Sequence, residues 1–170
     1  MKKFTLTLIT LVLFSLPPLM AQDWSAPKAL EHEFLTYMEG EWVGTTESPM
    51  GKSKDQLIYK MGLDGQFLMQ EATIEMSGVT YTGSGFLTLT PEGTITGSWI
   101  DNFRGIFQGS GTIEGNVMTV TWESARGKST RITEKTDDDH MIVIGREETP
   151  QGTQESKGTY TRKSALSESE

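Results

Sequence analysis

The chain has 170 residues, no cysteine, and 23 acidic against 15 basic residues, a formal net charge of −8. That length predicts one domain. The missing cysteines exclude a disulfide framework, a thiol nucleophile and a thiolate metal site, while the acidic excess opposes binding to nucleic acid or to anionic lipid headgroups.

Residues 1–21 read as a secretory signal peptide. Lys2 and Lys3 precede an apolar run from Phe4 to Leu16, interrupted only by Thr and Ser, and Pro17-Pro18 leads to Leu19-Met20-Ala21-Gln22. This is a charged start, a short hydrophobic core and a small residue before a polar mature start. The run is too short to span a bilayer, which takes about 20 apolar residues. The expectation is an exported protein, periplasmic or secreted, cleaved after Ala21, with no membrane insertion of the mature chain. Loss of the two lysines makes that chain still more acidic. Residues 22–28 read as an N-terminal linker.

Residues 29–163 read as one folded domain. It opens with a helix predicted over Ala29 to Met38, where Leu30, Phe34, Tyr37 and Met38 recur at helical spacing. Pro27 suits a helix start, and Gly40 can end the helix in the left-handed conformation. His32 lies away from the apolar stripe and reads as a solvated helix residue.

After Gly40 the pattern becomes β. Turn signals follow at Pro49-Met50-Gly51, Leu63-Asp64-Gly65, Ser77-Gly78, Pro91-Glu92-Gly93 and Arg104-Gly105. They continue at Glu114-Gly115-Asn116, Arg126-Gly127, Asp137 to Asp139 and Pro150-Gln151-Gly152. Nine turns between apolar-alternating segments predict about ten strands in meander order. Such a meander favours closure, because closure removes the exposed edges. The fold class expected is therefore all-β: a single antiparallel up-and-down β-barrel with one short N-terminal helix. Glycines inside strands, such as Gly83, Gly85, Gly97, Gly109 and Gly111, permit bending or close approach. Residues 164–170, polar and rich in Ser and Glu, read as a disordered tail.

Alternation with a period of two picks out one apolar face per strand. Tyr81 lies on that of Thr80–Thr90, Trp99 and Asp101 on that of Thr94–Asn102, and Met118 and Trp122 on that of Val117–Ser124. These five are the candidate ligand-binding residues. Asp101 has two readings. It anchors a ligand beside an aromatic wall, with Arg104 as an ionic partner, or it shapes the turn through side-chain to backbone bonds. Glu71 and Glu75 share a strand face whose direction the sequence leaves open. Asp137-Asp138-Asp139-His140 offers metal-binding groups, but four consecutive residues cannot converge on one ion. No catalytic residue, nucleophile motif or phosphate loop is found.

Gly40-Glu41-Trp42, just after the helix, resembles the Gly-x-Trp signature of the lipocalin and calycin superfamily. The resemblance implies that Trp42 plugs one barrel end and that Arg162, in Thr159-Tyr160-Thr161-Arg162, packs over its indole. Leu35 to Gly44, Gly97-Ser98-Trp99-Ile100-Asp101-Asn102 and Gly109-Ser110-Gly111 resemble the bacterial family known as domain of unknown function 1579. That likeness covers roughly residues 30–163 and implies a lipocalin-like barrel with no settled activity. The barrel is more distantly similar to nitrobindins, which bind haem. Their haem-ligating His falls where this chain has Gln154, Glu155, Ser156 and Lys157, so haem is disfavoured and no cofactor is expected. The leading expectation is a barrel that binds a small apolar or amphipathic molecule. The alternatives are a haem-dependent enzyme and a non-catalytic envelope or interaction module with a filled core.

Overall fold

The computed structural model describes residues 27–164. The signal-peptide reading of residues 1–21, all but the last two linker residues and all but the first tail residue lie outside it.

Among the described residues the chain forms one short helix, α1 (Glu33–Met38), followed by strands. These are β1 (Gly40–Ser48), β2 (Gly51–Lys52), β3 (Lys54–Gly62), β4 (Phe67–Met76), β5 (Val79–Leu89) and β6 (Ile95–Asp101). The rest are β7 (Ile106–Glu114), β8 (Val117–Ser124), β9 (Gly127–Lys135), β10 (His140–Thr149) and β11 (Gly152–Arg162). From β3 onward each strand pairs antiparallel with the next, and β11 returns to pair with β1, from Trp42 opposite Arg162 to Glu47 opposite Lys157. The sheet is closed. Glu47 opposite Lys52 and Gly44 opposite Asp55 keep one register, so β2 and β3 are a single strand interrupted at Ser53. The barrel therefore has ten strands, and every tight turn falls on one of the nine turn signals.

The two ends differ in what points inward. At the end where β1 begins, large apolar side chains fill the barrel: Trp42, Leu57, Leu68, Leu87, Ile95 and Met141 are each no more than 2% exposed. Each such side chain contributes about 1.5–3 kcal/mol through its removal from water. The apolar stripe of α1, Phe34, Leu35, Tyr37 and Met38, is buried against them. The helix is anchored by polar bonds as well. Trp42 Nε1 donates to the Met38 carbonyl at 2.9 Å, and the Tyr37 hydroxyl donates to the His140 carbonyl at 2.7 Å. This end is a sealed floor.

The helix is shorter than its periodicity implied, starting at Glu33 and not at Ala29. His32 is extended (φ −141°, ψ 122°) and its Nδ1 accepts the Phe34 N–H at 3.2 Å, so it caps the helix. Leu30 N–H is already committed to the Gly65 carbonyl at 2.9 Å. That bond ties the preceding segment to the β3–β4 turn, and the apolar Leu30 packs on the core without being helical. At the other end Glu39 terminates α1 and Gly40 opens β1. Gly40 has φ +124°, and a Cβ there would stand 2.9 Å from Arg162 Nη1. The glycine is needed for a close approach as much as for the turn.

Candidate functional site: the open half of the barrel

Toward the β6–β7 and β8–β9 turns many of the inward positions are small or polar. Gly44 and Thr46 hold them on β1, Gly83 and Gly85 on β5, Gly109 on β7, Gly145 on β10 and Gly158 on β11. Two indoles occupy the space those glycines leave. A Cβ on Gly83 would lie 2.3 Å from Trp99 Cζ2, and one on Gly109 would lie 2.7 Å from Trp122 Cζ3. Gly109 sits directly opposite Trp122, so the ring leans across the missing side chain. Trp99 and Trp122 meet at 6.4 Å between centroids, tilted by 58°. Trp99 Nε1 donates to the Tyr81 hydroxyl at 2.7 Å, and Tyr81 stacks on Phe103 at 6.2 Å. Burial pushes the Tyr81 hydroxyl above its usual pKa, against the opposing bond from Trp99. Tyr81, Trp99 and Trp122 point inward and yet remain partly exposed, with the two indoles packed on the edge of the core.

A polar layer separates this wall from the floor. Asp55, 5% exposed, accepts bonds from three hydroxyls: Ser53 Oγ at 2.6 Å, Thr46 Oγ1 at 2.5 Å and Tyr160 at 2.7 Å. A carboxylate this deep needs such a shell. Tyr160 is held well above its usual pKa, first by burial, with the Arg131 charge opposing. Gln70, 6% exposed, leaves its Nε2 without a partner. Arg131 shares the inward face of β9 with Thr133, which is 1% exposed.

Of the residues singled out in the sequence, Tyr81, Trp99 and Trp122 come together. Asp101 lies at their rim, with one carboxylate oxygen turned to the backbone: Oδ1 accepts the N–H groups of Phe103 (2.9 Å) and Gly105 (2.6 Å). The Arg104 side chain forms no ion pair with it among the described residues; Arg104 contributes its N–H to the Asp101 carbonyl at 3.0 Å, with φ +62°. Met118 is placed apart, four residues down β8 from Trp122, about 13 Å at the rise of a strand, and buried in the floor core. Gly40, Trp42 and Arg162 meet at the floor, where the Arg162 guanidinium lies 4.3 Å from the Trp42 ring centroid. Glu71 and Glu75 are exposed, on the outer face opposite to Leu68, Gln70 and Ala72. His140 opens β10, its ring 2.8 Å from the Asp137 carboxylate, and His32 caps α1. Both histidines sit at the floor end, outside the open lumen.

The polar layer of Asp55, Gln70, Arg131 and Tyr160 escaped sequence reasoning. Alternation carried the signal for the first: Asp55, Leu57 and Tyr59 interleave with Lys54, Gln56 and Lys60. Arg131 carried none, since Ile132 beside it suggests that the opposite face of β9 is the inner one.

Among the solved structures that share the fold are two natural proteins. The S-type phycobiliprotein lyase CPES from Guillardia theta is 12% identical, with a TM-score of 0.57 over 76% of this chain and 90% of that one. Rv2717c from M. tuberculosis is 13% identical, with a TM-score of 0.60 over 76% and 94%. No curated protein matches the chain. The family described as "Protein of unknown function (DUF1579)" matches residues 27–162, and the lipocalin-like barrel just described is the fold of that matched region. The chain belongs to the DUF1579 family.

Proposed function

We propose that this protein, after export, binds a small apolar or amphipathic molecule in the open half of its barrel. The observation that carries the reading is the wall of Tyr81, Trp99 and Trp122, aimed inward and still partly exposed above a sealed floor. Aromatic rings in contact with water inside a concave space gain by covering with an apolar surface. A module with a filled core would have no use for three partly exposed rings in its lumen. Because one fold hosts many functions, the reading rests on this site and not on the fold.

Binding is favoured over catalysis by the placement of the titratable groups. With both histidines at the floor end, no serine of the lumen has an imidazole beside it to act as a base. Haem held in the nitrobindin manner fits poorly too. Gln154 and Ser156, the inward positions of β11 near the mouth, are not axial donors of the kind haem iron takes.

Native mass spectrometry of the protein purified from its own cells tests the proposal. An added small-molecule mass is expected, and Trp99→Ala should lose it. A clean apo mass, together with tryptophan fluorescence that ignores a panel of amphiphiles, would contradict it. The same spectrum tests export, with Gln22 expected as the first residue and retained residues 1–21 as the contrary result.

A further inference from the structure

Arg131 stands directly opposite Val120 on one side and Gly145 on the other. Val120 is 2% exposed, and Thr133, two residues along on the same face of β9, is 1% exposed. Residues opposite one another in a sheet, or two apart in a strand, share a face. Arg131 therefore points into the lumen. Its guanidinium, with five N–H donors and no acceptor, forms no hydrogen bond or ion pair with any described residue. Its charge opposes the rise in pKa that burial imposes on Tyr59, Tyr81 and Tyr160.

Further donors on the β3–β4 wall also lack acceptors. Tyr59 and Gln70 are directly opposite each other and both buried. Gln70 Nε2 has no partner, and the Tyr59 hydroxyl makes no hydrogen bond to a described residue. Among the described residues Gln70 Nε2 is the buried side-chain atom without a partner, Arg131 being itself partly exposed; native interiors pair nearly all their buried polar groups, so this donor beside an inward cation points to a missing partner. The protein's own carboxylates do not supply it. Asp55 has both oxygens engaged by Ser53, Thr46 and Tyr160. Asp101 serves the β6–β7 turn. Glu147 is inward by register, opposite Ser129, but lies nearer the mouth, is exposed, and forms no ion pair with Arg131 among the described residues.

We infer that the ligand of this lumen is an amphipathic carboxylate, its head taken by Arg131 with Gln70 and Tyr59, and its apolar body laid along Trp99 and Trp122. The inference rests on the binding reading above and adds the chemistry of the head. A group with acceptors only and one negative charge complements three donor groups, and the planar guanidinium matches a carboxylate through two parallel bonds. A doubly charged phosphate fits less well, since a single cation faces it.

Matched pairs of probes separate this inference from the reading beneath it. Dodecanoate is compared with dodecanol, and 1-naphthylacetate with 1-naphthylethanol, by tryptophan fluorescence titration of the wild-type chain, Arg131→Met and Trp99→Ala. Each acid should bind at least about tenfold tighter than its alcohol, the scale of one charge-assisted pair. Arg131→Met should abolish that preference, weakening the acid about tenfold more than the alcohol; Trp99→Ala should weaken acid and alcohol alike. Arg131→Met should also raise the melting temperature, because it removes an unpaired inward charge. A merely structural arginine would lower it. Equal affinity for acid and alcohol in the wild type overturns the carboxylate inference and leaves the binding reading standing. No binding of any probe overturns both.

Discussion

At the scale of single residues, the barrel closes on Arg162. It lies across Trp42, donates from Nη2 to the Tyr37 carbonyl at 2.8 Å and from Nη1 to the Glu39 carbonyl, and meets Asp139 at 3.2 Å. The ion pair counts least, because Asp139 is half exposed. The stacking contact contributes about 0.5–2 kcal/mol, and the two carbonyls at the end of α1 would be left unpaired without the guanidinium. Trp42, fully buried, should cost about 3–5 kcal/mol as Trp42→Ala. Arg162→Ala should cost about 2–3 kcal/mol through its charged hydrogen bonds. The two touch, so a double-mutant cycle read by denaturant unfolding should show coupling of about 0.5 kcal/mol or more. Strict additivity would mean that the indole and guanidinium do not support each other.

At the scale of elements, turns and strands were legible and polar inward positions were not. Turn chemistry is local: Ser77-Gly78 and Glu114-Gly115-Asn116 announce themselves by residue type, and each closes a hairpin. The helix starts later than its periodicity suggests because Leu30 continues the apolar stripe while its N–H is taken by Gly65, a contact across the fold. Likewise β9 reads with Ile132 as the inner residue, and only its register with Val120 and Val143 turns Arg131 and Thr133 inward. The aromatic wall was legible strand by strand; that Met118 belongs to the floor depends on how far down β8 the core reaches. The β6–β7 turn offers a test of its own. Asp101→Ala removes the acceptor of two backbone N–H groups and should cost about 1–3 kcal/mol. Asp101→Asn keeps an oxygen there and should cost well under half of that in a thermal melt. Equal losses would show that the charge, and not the hydrogen bonds, holds the turn.

At the scale of the whole molecule, the barrel has one end filled with large buried side chains and one whose inward rings stay partly exposed, and its pH response follows from the phenols between them. Burial raises the pKa of Tyr59 and Tyr160 above the ordinary value of 10.0. Above that value the unfolded chain releases those protons while the folded chain retains them. Their contribution to stability is thus complete below about pH 10 and falls as pH rises beyond it, by up to about 1.4 kcal/mol per pH unit for each phenol. Denaturant midpoints should hold steady on the near side of pH 10 and drop on the far side, with phenolate absorbance appearing as the protein unfolds. Midpoints unchanged far above pH 10 would contradict the burial of these rings. The central claim concerns the end opposite the floor, where the Tyr81, Trp99 and Trp122 wall is proposed to receive the ligand. Its most direct test is the set of indole N–H resonances in a two-dimensional NMR spectrum as dodecanoate is added. The Trp99 and Trp122 signals should shift progressively and saturate, while the Trp42 signal, locked to the Met38 carbonyl beneath the floor, stays in place. Movement of Trp42 with Trp99 and Trp122 unaffected would contradict the account.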